Sequence, residues 1–99
     1  MTIYEFDWDE SKAADNLRKH GVDFETAMTI FSDPLVLTIA DPDHSETEER
    51  WVSLGQAHDR RLILTVHTFT EPDNEKAALR IISARRPTRR EARQYREGA

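Results

Sequence analysis

The chain has 99 residues, a formal net charge of −5 and no cysteine. That length suits one domain, 1–99, with a core of one sheet and two or three helices, and the missing thiols exclude a disulfide framework and thiolate chemistry. No stretch approaches the roughly 20 apolar residues that span a bilayer, and MTIYEFDWDE is neither basic nor apolar enough for a signal peptide, so a cytoplasmic protein is expected.

Thr2–Phe6 alternates weakly and predicts a short strand. Asp9 is a good N-cap for a helix over Glu10–His20, with Ala13, Leu17 and His20 on one face, Ala14 beside them, and Gly21 at the C′ position. Asp23 caps a second helix in which Phe24, Ala27, Met28 and Phe31 recur at i, i+3, i+4 and i+7, the spacing of a buried stripe, until Asp33-Pro34 ends it. The period then changes to that of strands. Leu35–Ala40, Glu49–Gln56, Arg61–Phe69 and Lys76–Arg86 read as strands, separated by turn chemistry at Asp41–Ser45, Ala57–Arg60 and Glu71–Asn74. Consecutive strands on short turns predict an antiparallel meander. Pro87 stops the last strand, and Thr88-Arg89-Arg90-Glu91 has capping-box spacing for a terminal helix. The expected fold class is α+β: two N-terminal helices packed on a twisted antiparallel sheet, with a C-terminal helix. Parity along Arg61–Phe69 places Ile63, Thr65 and His67 on one face and Leu62, Leu64 and Val66 on the other; a one-residue bulge would swap faces.

Charge is unevenly spread. Residues 80–99 hold seven arginines against two carboxylates, net +5, whereas residues 1–79 hold seven cations against seventeen carboxylates, net −10. An acidic protein that gathers arginines on one strand and helix points to an anionic ligand. Arginine's fixed fork of donors matches phosphate bidentately and stays charged. Arg80 and Arg85, inside an apolar strand, need partners: an anionic ligand, or the plentiful internal Asp and Glu. Arg89, Arg90, Arg93 and Arg96 suit a solvated surface or a protein interface. Glu49-Arg50 is either a general base beside a phosphate clamp or a cross-strand ion pair. His67 is either a half-buried strand residue or a catalyst, and His44 is a candidate acid, base or loop staple. Tyr95 belongs to the apolar side of the last helix or serves as a proton donor near the arginines. Asp41, Asp43, His44 and Glu48 match no defined metal-site spacing, so no metal or cofactor is expected.

Three stretches taken together, FDWDESKAADNLRKHGVDFETAMTIFSDP, DPDHSETEERWVSLG and LRIISARRPTRREARQY, resemble the BrnT family of toxins from bacterial type II toxin–antitoxin pairs, over nearly the whole chain from Phe6 to Tyr95. The resemblance implies a RelE-like ribonuclease fold and cleavage of RNA that inhibits translation. It also implies a BrnA-type antitoxin partner, in heterodimers paired into a heterotetramer that meets operator DNA only through the antitoxin. Metal-free cleavage by the 2′-OH then assigns Arg50 and Arg80 as cations around the phosphate, Glu49 or His67 as base, and His44, His67 or Tyr95 as acid, with Arg85 and Arg86 on flanking phosphates. Many RelE-like toxins rely on lysines in the catalytic strands; here the lysines are Lys12, Lys19 and Lys76. The competing readings are a non-catalytic nucleic-acid-binding module and a purely protein-binding module, both using the arginine-rich C-terminal strand and helix.

Overall fold

A computed structural model describes residues 3–41, 49–71 and 76–98. The chain opens with a strand, β1 (Ile3–Trp8), followed by α1 (Glu10–His20), α2 (Phe24–Met28) and a 3-10 turn (Thr29–Ser32). Strands β2 (Leu37–Ala40), β3 (Trp51–Gln56), β4 (Leu62–His67) and β5 (Lys76–Arg85) come next, and α3 (Arg89–Glu97) ends the chain. The five strands form one sheet in the order β1-β5-β4-β3-β2. Strands β2 to β5 are the expected antiparallel meander, but β1 lies parallel to β5, so the sheet is mixed. A parallel pair needs a long crossover rather than a hairpin, and the whole of α1 to β4 supplies it.

Local chemistry sets the helix ends. Asp9 accepts from Lys12 N at 3.0 Å, Gly21 closes α1 in the left-handed region at φ 68°, and Asp23 accepts from Thr26 N at 2.9 Å. The second helix tightens to 3-10 geometry after Met28, which turns Ile30 fully inward beside Phe24 and Ala27. With Val22 these side chains pack on Ile63, Ile81 and Ala84 of β4 and β5, and Phe6, Trp8, Met28 and Phe31 close the margin. Each fully buried large side chain contributes on the order of 1.5–3 kcal/mol by leaving water. Where the 3-10 turn crosses β3 there is room only for glycine: a Cβ on Gly55 would stand 3.1 Å from both Ile30 Cβ and Val36 Cγ2.

The face of α1 differs from expectation. Leu17 is half exposed, and the buried residue is Asn16. Pairing of β1 with β5 stops at Trp8 and Ile81, where β1 gives way to α1. Asn16 takes over the vacated ladder position. Its Oδ1 accepts from Ala84 N at 3.0 Å, and its Nδ2 donates to Ala84 O at 2.8 Å and to Val22 O at 3.0 Å. A buried backbone pair is thereby satisfied by a side-chain amide instead of a strand.

The β4–β5 register carries a bulge. Val66 pairs with Ser83 and His67 with Ile81, leaving Ile82 as the extra residue. Ala77, Leu79 and Ile81 face the helices, and after the bulge Ala84 does so instead of an odd-numbered residue. On the opposite face Leu37, Ile39, Val52, Leu54 and Leu64 form a shallow apolar groove bordered by Glu91 and Gln94 of α3.

Helix α3 buries none of its residues and is held by polar groups. Its capping box is formed, Thr88 N donating to Glu91 Oε1 at 2.8 Å and Glu91 N to Thr88 Oγ1 at 3.2 Å. The Glu91 carboxylate also takes the Arg85 fork bidentately, at 2.9 and 3.0 Å. One turn on, the Tyr95 hydroxyl donates to Asp33 Oδ2.

Candidate active site and arginine groove

The parallel pairing of β1 with β5 places Asp7 directly beside Arg80. Arg80 Nη1 donates to Asp7 Oδ2 at 2.9 Å, with both side chains more than half exposed. The pair lines a cleft of about 300 Å³ together with Glu5, Thr68 and Thr70. Thr68 is fixed against Arg80 by its N–H to Arg80 O at 3.0 Å and by Arg80 N to its Oγ1 at 3.3 Å. Arg50 stands immediately before β3: Trp51 pairs with His67 at the end of the β3–β4 ladder, and Asp41 N donates to Arg50 O at 2.8 Å, which carries the β2–β3 pairing one residue further. Asp7, Arg80 and Thr68 thus lie side by side at one end of the sheet, and Arg50, one residue before the Trp51–His67 pair, lies at the same end. Glu49 precedes Arg50 at this end and is exposed.

His67 does not join that row. Adjacent strand residues point to opposite faces, and His67 turns to the helix side, 1% exposed, with its ring edge-on to Phe31 at 5.0 Å between centroids. Its tautomer follows from its partners. Nδ1 lies 2.9 Å from the Thr68 carbonyl, which only accepts, so Nδ1 carries the proton and Nε2 accepts from Ser53 Oγ at 2.7 Å. Ser53 must then accept in turn from Thr38 Oγ1, also at 2.7 Å. Burial pushes the imidazole pKa below its usual value, outweighing the opposing hydrogen bond to Thr68 O. His67 is a neutral, oriented side chain that holds the backbone next to Arg80.

Tyr95 lies at the far end of the sheet. Its partner Asp33 also accepts from Gln56 N at 2.8 Å, at the end of β3 remote from Arg50, about 20 Å away by strand rise. Burial, then the bond to Asp33, push the phenol pKa up to about 12, so Tyr95 latches α3. At Asp33 burial raises the pKa, but the Gln56 N–H, the Tyr95 hydroxyl and the Leu35 N–H outweigh it and hold the carboxyl below its usual range. Arg85 is spanned by Glu91, and the bidentate hydrogen bonds hold its pKa above the usual guanidinium value. Arg86 stands free of that pair and lines a second feature. His44, with Asp43 and Glu48, lies outside the described residues.

That second feature is a groove of about 710 Å³ between the β3–β4 turn and α3, lined by Arg60, Arg61, Arg86, Arg89, Arg93 and Arg96, with Asp59 as its carboxylate. Asp59 is taken by Arg61, whose Nε donates to it at 2.8 Å and whose Nη1 reaches Gly21 O at 3.0 Å. The sequence showed the arginines of α3 but not Arg60 and Arg61, which arrive from a turn distant in the chain. Asp7 was missed in the same way, although the alternation Glu5, Asp7 against Tyr4, Phe6, Trp8 already put two carboxylates on one face of the first strand.

Comparison with known proteins places this small α+β chain in a class, the ribonuclease toxins of type II toxin–antitoxin systems. Residues 8–91 match the family described as "Ribonuclease toxin, BrnT, of type II toxin-antitoxin system", and the chain belongs to that family. Its fold is similar to the crystal structure of the Brucella abortus ribonuclease toxin BrnT, with a TM-score of 0.56 and 24% identity, covering 89% of this chain and 100% of that one. No curated protein matches the chain. Membership of a type II pair implies an antitoxin partner. Among the described residues no helix is long and apolar enough to cross a membrane.

Proposed function

We propose that the chain is a metal-independent endoribonuclease toxin with a RelE-like fold, acting in the cytoplasm and neutralised by a BrnA-type antitoxin in paired heterodimers. The observation that supports the mechanism is that Arg50 and Arg80 lie at the same end of the sheet in a chain of a ribonuclease family. Cleavage by the 2′-OH needs a base for its proton, cations for the crowded anionic phosphorane, and an acid for the departing 5′-oxygen. Arg50 and Arg80 stabilise the phosphorane. Asp7 orients Arg80 until a phosphate takes its place, an exchange of one anion for another at an exposed and therefore weak ion pair. Glu49, exposed beside Arg50, takes the 2′-OH proton. His44 is the proposed acid, because Tyr95 is held at the far end and His67 is turned inward. His67 is a positioning residue that fixes the Thr68 carbonyl, and Arg86 holds a flanking phosphate, supported by Arg85, which is held by Glu91 and donates to the Arg86 carbonyl at 3.1 Å. The products are a 2′,3′-cyclic phosphate and a free 5′-hydroxyl.

Replacement of Arg50 or Arg80 by alanine is the test. Loss of one transition-state cation slows cleavage about a hundredfold or more; a folded variant that cuts RNA at the parent rate overturns the assignment. A non-catalytic nucleic-acid-binding module instead predicts salt-steep RNA binding with no cleavage by the parent chain.

A further inference from the structure

We propose that the groove between the β3–β4 turn and α3 is a second RNA site, separate from the cleft around Arg80, that holds the phosphate backbone of single-stranded RNA several nucleotides from the bond that is cut. The choice of RNA as ligand rests on the ribonuclease reading. Among the described residues the groove gathers six arginines from three parts of the chain and one carboxylate, Asp59, which is occupied by Arg61. Five guanidinium groups, on Arg60, Arg86, Arg89, Arg93 and Arg96, have no carboxylate partner among the described residues, in a protein whose net charge is −5. A cleft lined by charges of one sign focuses the field and raises the local concentration of an anionic ligand.

The backbone at Arg60 adds an independent observation. Arg60 has φ 74°, a left-handed conformation that glycine or asparagine adopts with less strain, and it lines the groove between Asp59 and Arg61. Glu91 is gripped by Arg85 and by the helix cap, so the arginines of α3 are presented from an anchored first turn. The groove is open and polar, and among the described residues that line it none is aromatic, which fits backbone recognition without sequence preference. Arg86 lies six residues beyond Arg80 along the chain, about 20 Å at the rise of a strand, so one extended RNA strand reaches both sites.

The test uses a fluorescent 2′-O-methyl oligonucleotide, which lacks the attacking hydroxyl, so binding is read whether or not the chain cuts RNA. Its affinity for the full chain is titrated by anisotropy over a range of KCl concentrations. In the triple variant Arg89→Gln, Arg93→Gln, Arg96→Gln, the slope of log affinity against log salt falls by about 2, at roughly 0.7 per lost phosphate contact, and affinity at about 0.1 M salt falls about a hundredfold. Arg90→Gln, on the same helix but outside the groove, stays near the parent, as does the triple arginine-to-lysine variant, which keeps the charges; thermal melts confirm that each variant is folded. An unchanged slope in the triple glutamine variant, an equal loss in Arg90→Gln, or a parent chain that does not bind the oligonucleotide overturns the proposal. If the triple variant loses affinity for polyglutamate and keeps it for RNA, the groove belongs to an acidic protein segment and the proposal falls. A parent that binds the oligonucleotide in the groove yet leaves ordinary RNA intact overturns the ribonuclease reading and leaves the RNA site standing.

Discussion

The two helical regions are attached to the sheet by opposite means. The N-terminal layer buries Phe24, Ala27 and Ile30 and sends Asn16 into the backbone of β5. Helix α3 buries nothing and is fixed by Glu91 to Arg85 and by Tyr95 to Asp33. The first attachment is set by apolar area and is cooperative with the fold; the second is a pair of polar latches whose removal leaves the core intact. A helix carrying Arg89, Arg93 and Arg96 has little apolar surface to bury, so polar latches are what remain to orient it. The molecule thus separates a stable frame from a charged, locally releasable element.

Phe24→Ala should have the largest effect on stability, lowering it by about 3–5 kcal/mol, because the ring is 1% exposed and leaves a cavity among Val22, Ile63 and Ile81. Denaturant unfolding measures it, and helices α1 and α2 should be lost together with the sheet. Asn16→Leu comes next, at about 2–3 kcal/mol, since it orphans the N–H and C=O of Ala84 and the C=O of Val22. Tyr95→Phe should cost only about 1 kcal/mol. Its effect should be local: amide exchange in α3 accelerates while the global melting transition moves little.

Acid should sharpen the contrast by releasing the latches. The Glu91 carboxyl is held below its usual range chiefly by the Arg85 hydrogen bonds, and Asp33 is held down by its N–H and hydroxyl donors despite burial. Both contribute stability that is fully present above their unfolded pKa values, near 4, and is lost as pH falls through the lower folded values. His67, with its pKa depressed by burial, acts earlier: its contribution is present above about pH 6.5 and is lost as pH falls from there toward its folded value, because only the unfolded chain takes up the proton readily. Stability should therefore decline in two stages on acidification, the first absent in a folded His67→Gln variant and the second weakened in Glu91→Gln.

Much of this division was legible from local signals. The bounds of α1, the cap of α2 and the capping box at Thr88 depend on residues within four positions of one another. What escaped depends on distant pairing. Leu17 looked like the inner face of α1 because it is the helix's one large aliphatic residue, whereas the inner face is set by an amide that pairs with a strand 68 positions away. An antiparallel meander was expected because adjacent strands with short turns pair that way; β1 has no adjacent strand and pairs parallel with β5. That pairing brings Asp7 to Arg80, and the bulge at Ile82 moves Ala84 to the helix face. Parity within β4 was right, and it separates His67 from the Arg80 cleft once the register is known.

The most direct measurement is of RNA ends. The purified chain is incubated with end-labelled RNA in the presence and absence of EDTA, and the fragments are analysed for their 3′ termini. Cleavage that persists in EDTA, leaves a 2′,3′-cyclic phosphate and drops at least a hundredfold in Arg80→Ala is the predicted result. Cleavage that EDTA abolishes and a divalent ion restores would contradict a mechanism built on Arg50, Arg80 and Glu49.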